Sequence, residues 1–342
     1  MNKKRKIFLG LDDTAGIFTS LKKGFNELGI EADFYSYSRH AFGYKTDKII
    51  KYSTNSLVRK FQKVFLITKL IFKYKYFIFN SSGTLLPNCK DIKLFKMFGK
   101  KTMIIFTGCD IRLPEKVAGF KWNSCAVCTD EYKKFVGCVL SEKPGKIDKL
   151  ENSFDIRVSP EEASGSLNKK FYSTLFPSNI NKFSTNYSNP NKKLKIVHSP
   201  SNSTYKGTKY IDKAINKLKN EFDFEYRVIS NVTIEELYKE IESCDLVIDQ
   251  MLVGFYGLVS IESMAMGKPV VCYIRGDLWE KIKDDCPIYN ANPDNLYEVL
   301  KSILQNPWQL FETQKRSRAY AEKYHDARKI AQEYYEIFEK TN

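Results

Sequence analysis

The sequence predicts an α/β fold of two Rossmann-like, doubly wound domains, and three observations predict it. Short apolar runs alternate with segments of helical spacing, the pattern of a parallel sheet with crossover helices. The alternation stops in a polar stretch at 184–193 and then begins again. At 342 residues the chain is too long for one typical core and comfortable for two domains.

The elements follow in order. "RKIFLGL" (5–11) reads as a buried strand, and "GIFTSLKKGFNELG" (16–29) as a helix that ends at Gly29, a natural C-cap. "IEADFYSY", "YKYFIFN" and "KKTMIIFTG" are further short apolar runs bounded by turn or polar residues, hence strands. "STNYSNPNKK" (184–193) is dense in Ser, Asn and Pro and reads as the linker. Beyond it come the strand "LKIVHS", the helix "TKYIDKAINKLKN", the strand "FEYRVI" and the helix "TIEELYKEIESC". Thr233 is the N-cap of that last helix, with Glu236 at the capping-box position. The strand "DLVID", the helix "GLVSIESMAMG" and the strand "PVVCYI" complete a doubly wound order. The tail from Thr313 to Lys340 is helical, with a break near His325. The expected domains are 1–187, 188–315, and a C-terminal helix over 316–342 that packs back on the first domain. Two such domains leave a cleft between them, and open parallel sheets bind ligands beyond the carboxyl ends of their strands.

Composition narrows the classes. A hydrophobic content of 43% with 28% charged residues describes a folded globular chain. "MNKKRKIFLGLDD" begins like a signal peptide, but Asp12 and Asp13 cut the apolar run short, and no stretch of about 18 apolar residues follows anywhere. The eight cysteines form no regular framework, so reduced thiols in a cytoplasm are expected. The net charge of +15 suits nucleic acid, an anionic membrane surface or phosphorylated substrates, or simply solvated lysines. No nucleic-acid module accompanies it, so no nucleic-acid partner is expected.

The second domain's loops carry the candidate chemistry. From Gln250 to Gly267, Glu262 is the sole charged residue, in apolar company where an unpaired carboxylate is costly. With Gly257 at the start of its helix, free N–H groups and the positive dipole end offer an anion site, and Gly254 and Gly257 let a phosphate approach the backbone. Glu262 lies five residues on, about 7.5 Å along the axis. That suits the step from a nucleotide's pyrophosphate to its ribose hydroxyls. The alternative is a Glu paired with a buried Lys, Arg or helix end. In "HSPSNSTYKGTKY" (198–210), Lys206 and Gly207 stand at a helix mouth, where the lysine can reach a phosphate or be one more exposed lysine.

"GFYGLVSIESMAMGKPVV" (254–271) resembles the signature of the group 1, family-four glycosyltransferases, Glu-x-Phe-Gly-Leu, three residues, then Glu-Ala-Met-Ala-x-Gly-x-Pro-Val-Val. Gly257, Leu258, Glu262, Met264, Ala265, Gly267, Pro269, Val270 and Val271 match. "STYKG" (203–207) resembles the loop whose lysine binds the donor diphosphate. "FTGCDIR" and "FPSNINKF" extend a looser likeness into the first domain. The resemblance implies a GT-B fold, two facing Rossmann-like domains, and an enzyme like those that build bacterial cell-surface polysaccharides and lipopolysaccharide. It implies sugar transfer from a nucleotide-sugar donor to a glycan or lipid-linked glycan, with retention and with no metal or other cofactor. It places Lys206, Gly207, Ser203, Asp249, Gln250, Gly254, Tyr256, Gly257, Leu258 and Glu262 around the donor, with Glu262 on the ribose. The family's first Glu, which contacts the transferred sugar, is Gly254 here, and its arginine before the lysine is replaced in the region of Ser201 and Ser203. Asp249 and Gln250 are candidates to substitute for that first Glu. The departure leaves the donor sugar and the stereochemistry open. A non-catalytic nucleotide-sugar binder and a nucleotide-sugar epimerase are the alternatives.

The acceptor is expected on the first domain. In "TGCDIRLP" (107–114), Asp110 can orient or deprotonate an acceptor hydroxyl and Arg112 can hold a phosphate; an Asp–Arg pair bracing the loop is the other reading. Gly16, Asn80 and Ser81 occupy similar strand ends. Cys125, Cys128 and Cys138 offer one C-x-x-C pair, which would need Cys109 or Cys89 to complete a zinc site, so no metal is assigned. "LVRKFQKVFLITKLIFKYKYF" (57–77) mixes six basic residues with Phe, Leu and Ile. Lys63 and Lys69 prevent it from spanning a bilayer. It can bury one helix face inside the first domain, or lean on anionic lipid at the inner face of the plasma membrane.

Overall fold

A computed structural model of the chain describes residues 6–40, 43–185, 187 and 193–341. Residues 186 and 188–192 of the expected linker, and the first five residues of the chain, lie outside that set. The chain divides into two compact units.

Unit 1 takes the chain up to Leu113, Cys138–Asn179, and the stretch from Ala327. In order it holds β1 (Lys6–Leu11), α1 (Ile17–Glu27), β2 (Glu31–Ser36), β3 (Lys48–Ile49), α2 (Ser56–Lys73), β4 (Tyr76–Asn80), α3 (Lys90–Met97) and β5 (Lys101–Ile105). The chain then leaves for unit 2 through α4 (Pro114–Val117) and α5 (Asp130–Phe135) and returns to unit 1 at α6 (Lys143–Ser153), β6 (Ile156–Ser159) and β7 (Tyr172–Ser173). Unit 2 continues with β8 (Lys195–His198), α7 (Ser203–Lys206), α8 (Thr208–Leu218), β9 (Glu225–Val228), α9 (Ile234–Glu242), β10 (Leu246–Ile248) and α10 (Leu258–Ala265). It ends with β11 (Val270–Cys272), α11 (Gly276–Ile282), β12 (Tyr289–Asn290), α12 (Leu296–Gln305) and α13 (Gln309–Tyr324). The last helix, α14 (Ala327–Lys340), belongs to unit 1.

Both sheets are parallel throughout. The first runs β3-β2-β1-β4-β5-β6-β7 and the second β12-β11-β10-β8-β9. Central strands of such sheets are covered on both faces, which is why they read as unbroken apolar runs. Every residue of β4 is buried, and Phe77 stacks on Phe95 of α3 with centroids 4.0 Å apart. In unit 2, Ile196, Leu246 and Ile248 of the sheet meet Ile211 and Ile215 of α8 and Leu296 and Leu300 of α12. The α/β, doubly wound expectation is the fold observed. The sequence of turns in each sheet reverses at one place, between β1 and β4 in unit 1 and between β8 and β10 in unit 2. Those reversals are where such folds place ligands.

The division of the chain departs from the expected boundaries: unit 2 begins at Ile180 rather than 188, continues to Asp326 rather than 315, and takes in residues 114–137 as well. The reason is side-chain packing. Trp122 meets the edge of Tyr210 on α8, Tyr132 packs on Tyr205, and Asp294 accepts from Lys121 at 2.8 Å and from the Trp122 indole at 3.0 Å. At the other end, the helical tail breaks at His325, and α14 lies on α1.

That last contact depends on Gly24, where an added Cβ would fall 2.1 Å from the Ala327 carbonyl oxygen and 2.9 Å from the Ala331 Cβ. Glycine to alanine inside a helix ordinarily stabilises by about 1 kcal/mol. Here overpacking reverses the sign, and Gly24→Ala is expected to cost about 2 kcal/mol. Gly145 in α6 has open space around it and serves as the control. Denaturant unfolding followed by circular dichroism should show a lower midpoint for Gly24→Ala and an equal or higher one for Gly145→Ala.

Candidate functional site

The reversal point of unit 2 is organised by one carboxylate. Asp249 follows β10 directly and is fully buried. Its Oδ1 accepts from the Lys206 Nζ at 2.8 Å. Its Oδ2 accepts from the Gly257 N–H at 3.1 Å and from the Ser260 hydroxyl at 2.7 Å. Burial pushes the Asp249 carboxyl upward, but the Lys206 ammonium and the two further donors more than offset it and hold the group below its usual range. Burial pulls the lysine down, and Asp249 outweighs it, so Lys206 stays protonated.

The loop carrying Lys206 has its own supports. Asn202 caps α7 by accepting from the Tyr205 N–H at 2.8 Å, and Ser203 is the exposed first residue of that turn. Gly207 then takes a left-handed φ of 79°, where a Cβ would press on Leu252 and Met251 at 3.0 and 3.2 Å. His198, at the end of β8, escapes a reading of the sequence. It is fully buried, its Nδ1 lies 2.8 Å from the Ile248 oxygen and its Nε2 2.9 Å from the Thr208 hydroxyl. The carbonyl can only accept, so Nδ1 carries the hydrogen and Nε2 accepts from Thr208. Burial lowers the His198 pKa, consistent with this neutral form. The imidazole thus ties β8, β10 and the start of α8 together.

The mouth of α10 is partly occupied from within. The Gly257 N–H, expected to be free for an anion, is the one Asp249 takes. Leu258 and Val259 follow in the first turn, and their N–H groups meet no acceptor outside the helix among the described residues. Lys206 gives one of its three ammonium hydrogens to Asp249. Asp249 is therefore the partner that positions Lys206, which changes its expected place beside the transferred sugar. Gln250 is turned inward too. Its amide donates to the Phe255 oxygen, and its Oε1 is buried without a partner among the described residues. Tyr256 faces away from Lys206: its hydroxyl lies 3.1 Å from both the Tyr320 hydroxyl and the His325 Nε2. Gly254 has φ 89°, and a Cβ there would meet the Arg275 stem at 3.1 Å, so a glutamate at this position would be strained.

Glu262 is buried in α10, and its Oε1 accepts from the Tyr238 hydroxyl of α9 at 2.7 Å. Its Oε2 has no partner among the described residues. Burial pushes its carboxyl up to about 7, against smaller opposing effects of the Tyr238 hydroxyl and the Lys182 charge.

At the reversal point of unit 1 the described groups are bound to one another. Asp13 closes the mouth of α1, accepting from the Phe18 N–H at 2.8 Å and from the Thr19 N–H and hydroxyl at 3.1 and 2.7 Å. Gly16 stands beside it at φ 87°, against the Tyr44 ring. Asn80 donates to the Asp12 oxygen at 2.8 Å. Asp110 accepts from the N–H groups of Thr107 and Gly108 and from the Ser81 hydroxyl. The buried partner of Arg112 is Glu162 at 3.3 Å, so the expected Asp110–Arg112 brace is two separate braces. No group of three or more His, Cys, Asp or Glu is arranged for a metal ion among the described residues; Cys125 and Cys128 belong to unit 2 and Cys138 to unit 1.

The carboxyl of Glu262 sets a pH dependence. Between its ordinary 4.5 and about 7 the native state keeps a proton that the unfolded state has released. Stability is therefore complete below pH 4.5 and falls as pH rises through this window, by about 3 kcal/mol in all. Glu262→Gln cannot ionise. Thermal melts from pH 4.5 to 8 should fall less steeply for this variant than for the parent, and parallel curves would remove the buried-acid assignment.

No family model matches the chain, and no curated protein matches it. Solved structures do match, over nearly the whole length. HepE from Anabaena, solved in complex with UDP-glucose, superposes with a TM-score of 0.63 at 13% identity, covering 98% of this chain and 99% of that one. Sucrose-phosphate synthase from Thermosynechococcus elongatus gives 0.62 at 12% identity, covering 98% of both chains. A Listeria monocytogenes protein assigned as a UDP-N-acetylglucosamine 2-epimerase gives 0.55 at 13%, covering 99% and 98%. With two parallel, doubly wound units and these neighbours, the chain has the GT-B fold.

Proposed function

We propose that this protein is a glycosyltransferase that moves a sugar from a nucleotide-sugar donor to a glycan or a lipid-linked glycan, in the building of a bacterial cell-surface polysaccharide or lipopolysaccharide. The observation that carries the reading is the Lys206–Asp249 pair at the mouth of α10, with Glu262 farther along the same helix. The two remaining ammonium hydrogens of Lys206 and the N–H groups of Leu258 and Val259 would receive the donor's diphosphate. Negative charge grows on that diphosphate as the sugar departs, so these donors act where the transition state needs them. They supply positive character that a divalent cation supplies elsewhere, and the proposed reaction is metal-independent. The Oε2 of Glu262 would take a ribose hydroxyl while Oε1 keeps Tyr238. Leu258 and Gly257 would border the same ligand. The acceptor falls to unit 1, near Asp110, Asn80 and Gly16, where Asp110 would orient the attacking hydroxyl. Retention of configuration belongs to the same proposal, as does a cytoplasmic place on the inner face of the membrane. Neighbours of the same fold solved with UDP-glucose, and with UDP and glucose, support the donor class.

One observation favours a second reading. Gly254, with Arg275 packed on it, leaves no carboxylate where the sugar would lie, which suits a protein that binds a nucleotide sugar without transferring it. An epimerase is a third possibility on this fold and is represented among its neighbours.

Titration with UDP, GDP, ADP, CMP and their sugar conjugates, followed by thermal shift and calorimetry, tests the site. One nucleotide is expected to bind. Lys206→Ala should weaken it about a hundredfold and Glu262→Gln about tenfold, losses of about 2.7 and 1.4 kcal/mol. Unchanged affinity in both variants would place the nucleotide elsewhere. Turnover then separates the readings: a transferase releases the diphosphate as the sugar passes to an acceptor, an epimerase converts the nucleotide sugar to its epimer with no net release of diphosphate, and a binder does neither.

A further inference from the structure

The helix α2 buries only part of what its sequence offers. Leu66, Ile67, Leu70 and Ile71 enter the core of unit 1. The opposite face carries Leu57, Val58, Phe61, Val64, Phe65 and Phe72, all exposed, with Phe61 at 75%, Phe65 at 72% and Phe72 at 83%. At 100° per residue these six form one continuous stripe about 120° wide. Single exposed apolar side chains are ordinary; a row of three bare phenylalanines on one helix marks an interaction surface.

The charges around the stripe say what covers it. Within 56–73 there is no acidic residue, while Arg59, Lys60, Lys63, Lys69 and Lys73 are all cationic. Lys60 and Lys69 border the stripe on its two sides, by the same 100° spacing. Arg59, Lys60, Lys63 and Lys69 make no ion pair among the described residues, whereas Lys73 is held by Asp33 at 2.6 Å. Beside the helix lies a pocket of about 380 Å³ lined in part by Lys63 of α2 and by Lys146 and Lys149 of α6. An apolar stripe edged by cations, next to a lysine-lined pocket, complements a surface with phosphates outside and acyl chains within. No helix among the described residues is long and apolar enough to cross a membrane.

We infer that α2 is a membrane-docking helix that lies in the interface of an anionic phospholipid bilayer, its phenylalanines among the acyl chains and its lysines at the phosphates. This deepens the membrane placement proposed above by naming the surface that makes it, and it does not rest on the nucleotide-sugar site, since no residue of unit 2 takes part.

Co-sedimentation of the full chain with extruded vesicles tests the inference. Vesicles of phosphatidylglycerol and phosphatidylcholine in equal parts should bind at least tenfold more protein than vesicles of phosphatidylcholine alone. The triple variant Phe61→Ser, Phe65→Ser, Phe72→Ser should lose at least tenfold of that binding, with unchanged circular dichroism and unchanged thermal melting. The charge variant Lys60→Ala, Lys69→Ala should keep the residual binding that survives high salt and lose the salt-sensitive part. Equal binding by parent and phenylalanine variant would overturn the inference. So would a parent that ignores both vesicle types, and a dimer that the phenylalanine variant converts to monomer would then identify a second copy as the occupant.

Discussion

The buried carboxylate of Asp249 is the constraint on which the rest of the unit 2 site depends. A charge with no exposure to water must be compensated where it sits. Its three partners come from two separate segments: Lys206 from the loop after β8, and Gly257 and Ser260 from the first turn of α10. One side chain therefore fixes the two loops that leave the sheet reversal. The glycines fit this picture. A Cβ at Gly257 would sit 3.6 Å from Oδ2 and 3.7 Å from the Lys206 Nζ, in ordinary contact with the ion pair.

The two units use related devices with different electrostatic results. Each closes the mouth of a helix at its reversal point with an aspartate, Asp13 at α1 and Asp249 at α10. Asp13 is satisfied by two N–H groups and a hydroxyl, and burial raises its pKa. Asp249 has an ammonium as well and stays ionised. In unit 1 the first-turn donors of Phe18 and Thr19 are spent on the cap. In unit 2 the cap brings a lysine with it, and the lysine retains hydrogens to give. That difference leaves an ammonium at the reversal point of unit 2.

Much of the fold was legible in the sequence because its signals are local. Fully buried strands such as β4 and β10 announce themselves as apolar runs, and the capping box of Thr233 and Glu236 is formed as read. The two-residue strands β3, β7 and β12 carry no such signal. Glycines and the isolated Glu262 could be found from composition, since an acid in apolar company always needs an explanation. Its partner Tyr238 could not, because the contact spans 24 positions and joins two helices. His198 was missed for the same reason: its two hydrogen bonds run to Ile248 and Thr208, and nothing beside it in the chain marks them. Tyr256 misleads in the opposite sense. It stands next to the glycine of the helix mouth, but its ring turns to α13, where Tyr320 and His325 take its hydroxyl.

The glycine at 254 follows from the excursion of residues 114–137 into unit 2. That segment places the Phe120 ring under the Arg275 guanidinium, 4.2 Å from its centroid. Asp277 holds the same guanidinium through two bonds of 2.9 and 2.8 Å. Held over one face by Phe120 and along one edge by Asp277, the arginine has its stem laid against residue 254, and its backbone N–H donates to the Gly254 oxygen at 2.9 Å. The backbone at 254 is left-handed and a Cβ there would press on the Arg275 stem at 3.1 Å, a combination that glycine meets without strain. The glycine at 254 is thus in keeping with how this unit is packed.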